Sequence, residues 1–396
     1  MKNKRIALFM ISPLTQGGGA EKYFINFAKN LNVKENIEAD VITFDDKSFR
    51  RFTRLLHIFT RGNFFWKIDN FKKGMREKKE DIKRELGEAC WLESPRIKIR
   101  KILKNYDLIY AKNEIADLFV LKFIGYKKLP PIIVGVHTPI FYPQTKSFFS
   151  KLHNFLYAGF FYKYLLRGSK CIHVSNIFTK NIVEKKFKTE SRLVYYPFST
   201  KVIADLKKKY KCEIKFEKEK INIIFAGRMG EQKGIDILVS LIEKIGENEN
   251  IAKKVQVNIF GSGDKKHENA VKELSKKFSF VCYFGHIENK FIPDILSRQN
   301  LMVAPSRWET LPYSILEAQA AGVPVFAFDI PGPNDIIENG KTGILVKNEE
   351  DFFRSVKNFI EGKIIFSKKN IIQNIEEKFH SDRIYNQLFS MLSEYL

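Results

Sequence analysis

Apolar residues along the chain fall into two rhythms, short unbroken runs and longer stretches with helical spacing. Residues 5–12, 39–44, 106–110, 132–136 and 171–175 form runs of the first kind. Such runs read as strands buried on both faces, because a parallel sheet covered by helices on either side has no wet face to alternate with. Residues 21–31 carry Phe24, Phe27, Ala28 and Leu31 on one helical face, and a loop over 13–20 joins this helix to the first strand. The alternation resumes at residue 221. Apolar runs at 221–226, 255–260, 280–284, 301–304 and 323–328 are interleaved with helical patterns such as Ile235, Leu238, Val239, Ile242 and Ile245. Repeated strand–helix–strand units predict an α/β fold with parallel sheets. At 396 residues the chain exceeds one ordinary domain. Val194-Tyr195-Tyr196-Pro197 closes the first set of strands, and the Lys-rich stretch after it reads as a linker. The expected organisation is a Rossmann-like domain over 1–200, a linker over 201–220, a second Rossmann-like domain over 221–378 and a terminal helix over 379–396.

Charge narrows the partners. A net charge of +23 and a pI near 9.6 call for an anionic partner, which leaves nucleic acid, anionic lipid or a phosphorylated small molecule. From Lys47 to Arg84 there are 13 Lys or Arg against four acids, with Phe49, Phe52, Phe59, Phe64, Phe65, Trp66 and Phe71 interleaved. Cations beside rings suit an anionic membrane surface; they also suit single-stranded nucleic acid or a solvated, salt-bridged face. Residues 148–166 are rich in aromatics and read mainly as core, with an amphipathic helix adding to a membrane face as the other reading. The N-terminal Lys2 to Arg5, followed by apolar residues, faintly imitates a signal peptide. It lacks a small-residue cleavage site, so a first buried strand is expected. No run of 18 apolar residues occurs, so any membrane contact should be peripheral. Cys90, Cys171, Cys212 and Cys282 form no Cys-x-x-Cys pair, which fits reduced thiols in the cytoplasm and neither a disulfide frame nor a zinc site.

Candidate chemistry concentrates in residues 305–325. This segment sits between two apolar runs, so it reads as strand, loop, helix, strand, with the loop at the carboxyl end of a strand where open α/β sheets bind ligands. Pro312 suits the first turn of the helix, which should begin near 310–313. The free amides at its head are a ready phosphate site. Glu317 is the only charged residue between Thr310 and Phe328. A carboxylate in so apolar a segment needs hydrogen-bond donors, which sugar hydroxyls would supply. Upstream, Gly227-Arg228 and Lys233-Gly234 frame a turn at the start of another helix. There the Arg fork and the Lys point charge make a plausible diphosphate clamp.

Glu309 and Glu317, seven residues apart, preceded by Pro-Ser and followed by Ala-x-Ala-x-Gly-x-Pro-Val, resemble the signature of retaining GT-B glycosyltransferases. The family is the large sucrose-synthase-like one, glycosyltransferase family 4 or glycosyl transferases group 1. The resemblance implies two Rossmann-like domains facing across a cleft. It implies Glu309 near the donor sugar, backbone amides of Thr310 and Leu311 on the diphosphate, and Glu317 on the ribose. Pro312 stands where the family usually has Gly and removes one possible phosphate donor. Arg228 and Lys233 match the family's donor-diphosphate element. Gly261 lies in a Gly-x-Gly turn near the nucleotide, and Ile287 lies where loop backbone meets the base. Main-chain contacts leave uracil, guanine and adenine open, with a UDP-sugar the first donor the resemblance suggests. His286 reads as a bystander. Gly17-Gly18-Gly19 looks like the donor-side glycine loop of the first domain, Gly18 and Gly19 being the candidate contacts, although a plain flexible turn fits as well. His137, just past a strand end, matches a position that meets donor sugar or acceptor.

The implied reaction is transfer of a hexosyl unit from a nucleotide diphosphate sugar to an acceptor hydroxyl with retention. Arg228, Lys233 and the helix head would stabilise charge on the leaving diphosphate. No Asp-x-Asp sequence occurs, so no metal is expected. Expected partners are the nucleotide sugar, a glycan or lipid-linked acceptor of bacterial surface polysaccharide and an anionic membrane. The expected location is cytoplasmic, peripheral on the inner face of the cell membrane, and no nucleic acid is expected. The rival readings are a GT-B nucleotide-sugar epimerase, a glycan phosphorylase, or a basic nucleic-acid-binding protein.

Overall fold

The structure is a computed structural model that describes residues 3–14, 19–51, 75–86, 91–141 and 148–396. Among the described residues seven strands build the first sheet: Lys4–Phe9 (β1), Ile37–Phe44 (β2), Trp91–Ser94 (β3), Leu108–Lys112 (β4), Ile132–Gly135 (β5), Cys171–Val174 (β6) and Ser191–Leu193 (β7). Six build the second: Ile221–Ala226 (β8), Val255–Phe260 (β9), Val281–Gly285 (β10), Leu301–Ala304 (β11), Val325–Phe328 (β12) and Gly343–Val346 (β13). All pairings within these sheets are parallel. The orders are β3-β2-β1-β4-β5-β6-β7 and β10-β9-β8-β11-β12-β13. Each sheet therefore reverses direction of build once, between β1 and β4 and between β8 and β11. A doubly wound sheet opens its ligand crevice at that reversal. The chain thus consists of two Rossmann-like domains.

The helices that position the cleft are, in chain order, Gly19–Leu31 (α1), Met75–Leu86 (α2), Ile115–Ile124 (α3), Phe148–Ala158 (α4), Phe160–Leu166 (α5), Thr200–Lys209 (α6), Ile235–Gly246 (α7), Tyr313–Ala320 (α8), Glu349–Ile360 (α9), Lys368–Phe379 (α10) and Ser381–Ser393 (α11). Successive residues of β1 serve opposite faces of its sheet. Ile6 and Leu8 pack with Phe24 and Phe27 of α1, while Ala7 and Phe9 pack with Ile109 and Leu118. The side carrying α1 is continuous with the core of the second domain, because α11 lies against α1 and buries Leu388, Met391 and Leu392. Lys34 Nζ donates to Asn386 Oδ1 (2.9 Å) and Arg192 reaches Glu394 (2.8 Å), so the end of the chain is tied to the first domain. At the domain junction Phe198 N donates to Phe379 O (2.9 Å), and Tyr196 stacks on Tyr313 with ring centres 5.8 Å apart.

Three details depart from the sequence reading. Half of the Lys-rich stretch after residue 200 is helix α6, capped by Ser199, whose side chain accepts from Val202 N, and anchored by buried Ile203. Its lysines 207–209 sit in the last turn, where cations offset the negative helix end. Residues 148–166 form two helices broken at Gly159, and of their described aromatics only Tyr157 and Tyr162 are buried, while Phe155, Phe160, Phe161 and Tyr164 are exposed. The edge strand β3 is unanticipated; it pairs Trp91 with Val41. The aromatic centre of the basic segment, residues 52–74, lies outside the described residues. Its described flank α2 is docked on the domain: Ile82 and Leu86 are buried, and Lys79 bonds Glu93 (2.9 Å).

Candidate active site

The turns after β8, β9 and β10 prolong the sheet ladder past the strand ends. Gly227 N donates to Phe260 O (3.1 Å) and Gly261 N to Gly285 O (2.7 Å). Gly261 has φ +131°, and a Cβ there would stand 1.8 Å from Gly227 O, so only glycine lets these two turns touch. A Gly261→Ala variant should lose at least ~2 kcal/mol of stability and its response to UDP. Urea unfolding with and without UDP reads both, and unchanged stability would contradict the close packing.

These turns floor a hollow of about 470 Å³ between the domains. Arg228, Gly261, Ile287 and Glu317 all line it, so four residues singled out from sequence meet in one place. Lys22 of α1 closes it from the first domain, with Ser314 at the head of α8 and His286 completing the wall. His286, read as a bystander, is therefore a lining residue.

Lys233 and Glu309 meet as an ion pair, Nζ to Oε1 2.5 Å, with Glu309 largely buried. The Lys233 stem runs beside Gly227, 3.7 Å from where a Cβ would be. The turn that carries Arg228 and Lys233 is fastened to the loop that carries Glu309. Arg307, buried, grips Asp236 with two bonds (2.7 and 2.5 Å) and also donates to Glu231 O (3.0 Å). Arg307 N donates to Gln232 O (2.8 Å), and Gln232 Nε2 donates to Trp308 O (3.1 Å). Arg228 lies at the surface, its guanidinium on Gln232 Oε1 (3.0 Å). Gly234, at φ +65°, lets the turn close onto Pro305 O, which a Cβ would meet at 2.0 Å.

Pro312 precedes the helix instead of lying inside its first turn. It is the N-cap residue at φ −75° and ψ 113°, and α8 begins at Tyr313. The amides of Tyr313 and Ser314 head that helix and have no acceptor within it by geometry. Thr310 and Leu311 are buried in the approach, and Asn176 of the first domain donates to Thr310 O (2.9 Å). Glu317 lies one turn into α8. Burial pushes its carboxyl up to about 7, with Lys22 opposing.

His137 lies two residues past the end of β5, as the sequence suggested. Its Nε2 and Nδ1 each lie 3.0 Å from a hydroxyl, of Tyr110 and Tyr196 respectively, and its ring packs 4.4 Å from that of Tyr23. Burial, with His173 and Lys112 nearby, holds its pKa well below the usual value, so the ring is neutral. Both nitrogens are occupied, and it is not among the residues lining the hollow. Gly18 falls outside the described residues, while Gly19 opens α1 one turn before Lys22.

Two Rossmann-like domains with a cationic hollow at their facing crevices define a GT-B glycosyltransferase architecture. HepE of Anabaena, solved in complex with UDP-glucose, superposes with a TM-score of 0.67 over 98% of this chain and 99% of its own, at 16% identity. The family described as Glycosyl transferases group 1 matches residues 207–378. An uncharacterized 41.2 kDa protein in the cps region of Klebsiella pneumoniae is 32% identical over 262 residues, 64% of this chain and 69% of that one. The capsular polysaccharide biosynthesis glycosyltransferase CapM of Staphylococcus aureus is 28% identical over 200 residues, 47% of this chain and 50% of its own. Residues 207–378 thus form a glycosyl transferases group 1 domain, and glycosyltransferases are among the chain's relatives.

Proposed function

We propose that this glycosyltransferase moves a hexosyl unit from a nucleotide diphosphate sugar, a UDP-sugar first, to a hydroxyl of a glycan or lipid-linked acceptor, with retention at the anomeric carbon. The process it serves is assembly of a bacterial cell-surface polysaccharide at the inner face of the cell membrane. The observation that carries this reading is the shared hollow: Arg228, Glu317 and the head of α8 line it, and the Lys233–Glu309 pair is fastened beside it. Support for the process comes from the relative that is a capsular polysaccharide biosynthesis glycosyltransferase. Support for the donor comes from the similar fold solved with UDP-glucose.

In this mechanism the diphosphate rests against Arg228, Lys233 and the amides at the head of α8. As the bond from the anomeric carbon to the diphosphate breaks, the growing negative charge meets groups that already point at it, which lowers the barrier without reorganisation. The acceptor proton passes to a donor phosphate oxygen as the acceptor oxygen bonds to the same face. Glu309, an anion beside Lys233, orients sugar hydroxyls. Glu317 accepts from the ribose, and the loop backbone at His286 and Ile287 meets the base.

A panel of nucleotide sugars tested by thermal shift is expected to give one donor family that raises the melting temperature, since a ligand of the native state alone stabilises it. With that donor and an acceptor, the anomeric proton coupling of the product reports stereochemistry. No stabilising nucleotide sugar would defeat the donor reading, and an inverted anomer would defeat retention.

A further inference from the structure

Three helices of the first domain present large apolar side chains to water instead of to the core. Phe123 of α3, Phe155 of α4 and Phe160 of α5 are 83%, 75% and 85% exposed, while the opposite sides of the same helices bury Leu118, Tyr157 and Leu165. The three helices are neighbours through α5. Helix α5 packs on both α3 and α4, and Lys122 Nζ stands 4.3 Å from the ring centre of Tyr126 and 5.0 Å from that of Tyr164, bridging α3 to α5. Large exposed rings gathered on three neighbouring helices mark a region that another phase or partner covers.

Charge selects the occupant. From Leu118 to Val183 the chain has nine Lys or Arg and no Asp or Glu, and exposed Lys151 and Lys163 lie on α4 and α5 themselves. An apolar, ring-rich face with cations and no acids is complementary to a layer that is anionic on its surface and apolar just beneath. No helix among the described residues is long and apolar enough to cross a membrane, so contact of this face is interfacial. The face also adjoins the cleft. Tyr157 of α4 donates to Glu114 (2.7 Å), and His153 of α4 bonds Pro139 O (2.8 Å), which places the helix over the ends of β4 and β5.

We propose that the surface formed by α3, α4 and α5 docks on an anionic lipid bilayer, with Phe123, Phe155 and Phe160 entering the headgroup region and the neighbouring lysines meeting lipid phosphates. A lipid-linked acceptor would then reach the cleft from the bilayer beside it. This deepens the membrane part of the reading above and rests on it only for the acceptor, so docking and donor binding are read separately.

The test sediments the full chain with phosphatidylcholine vesicles with or without phosphatidylglycerol, at low and high salt. The wild type should sediment with the phosphatidylglycerol vesicles only. The triple variant Phe123→Ser, Phe155→Ser, Phe160→Ser should bind at least ~10-fold more weakly, and Lys151→Gln with Lys163→Gln should weaken binding and flatten its salt dependence. All variants should keep the wild-type thermal shift with UDP, which shows that the fold is intact. Absent sedimentation of the wild type, equal binding to pure phosphatidylcholine, or wild-type binding by the triple variant each overturns the proposal. So does a wild-type dimer that the triple variant splits, because a second copy then covers the face. Vesicle binding without any UDP response upholds the docking surface and sinks the donor reading.

Discussion

Lys233→Ala is expected to lower turnover by at least ~100-fold while the chain still folds. Two effects combine at this residue. Its ammonium is one of two side-chain cations proposed to meet the leaving diphosphate, and removing a preorganised charge from a partly enclosed site weakens transition-state stabilisation directly. It is also the counter-ion of Glu309 at 2.5 Å. Losing one member of such a pair leaves a buried carboxylate unpaired and costs about 3 kcal/mol of stability. The double variant Lys233→Ala, Glu309→Gln separates the two. It should regain most of the stability, because no lone charge remains, and none of the turnover, because the diphosphate still lacks its cation. Donor consumption measured beside urea unfolding gives both quantities. Near wild-type turnover in Lys233→Ala, or recovery of turnover in the double variant, would reduce Lys233 to a structural partner of Glu309.

What could be seen in the chain beforehand follows from the range of each interaction. The buried strands were visible because a parallel sheet covered on both faces imposes an apolar run with no polar relief, as in Ile221–Ala226 and Val255–Phe260. The side of the hollow built by the second domain was visible because its parts sit on turns with local constraints: Gly261 against Gly227 O, and Arg228 and Lys233 in one turn. Lys22 was not, since it reaches the hollow from the other domain and nothing near it in sequence records that approach. Arg307 carries no local mark of its role, because its partner Asp236, in the first turn of α7, lies seventy-one residues upstream. His137 was drawn toward the site by its place after a strand, yet its neighbours Tyr110 and Tyr196 come from distant segments and claim both nitrogens. The same limit explains the aromatics of α4 and α5. Residue type announced burial, and only the packing shows which side of each helix faces water.

Glu317 should make UDP binding depend on pH in a direction its burial fixes. In the folded chain its carboxyl ionises near 7, against an ordinary value of 4.5, chiefly because burial disfavours the anion. Between those two values the folded state holds a proton that the unfolded state has released. Stability without ligand therefore falls as pH rises from about 4.5 through about 7, and Glu317→Gln should remove that part of the slope. Ribose hydroxyls donating to the carboxylate favour its charged form, so binding expels the proton and UDP affinity should climb as pH passes from 6 to 8. Loss of hydrogen bonds to a charged acceptor should weaken UDP about 10- to 100-fold in Glu317→Gln at pH 8. Any pH dependence left in that variant belongs to the nucleotide's own phosphate. Calorimetric titration of both proteins across this range is decisive. Parallel affinity profiles for wild type and Glu317→Gln would mean that this half-buried carboxylate does not meet the ribose, and the nucleotide would have to lie elsewhere in the hollow.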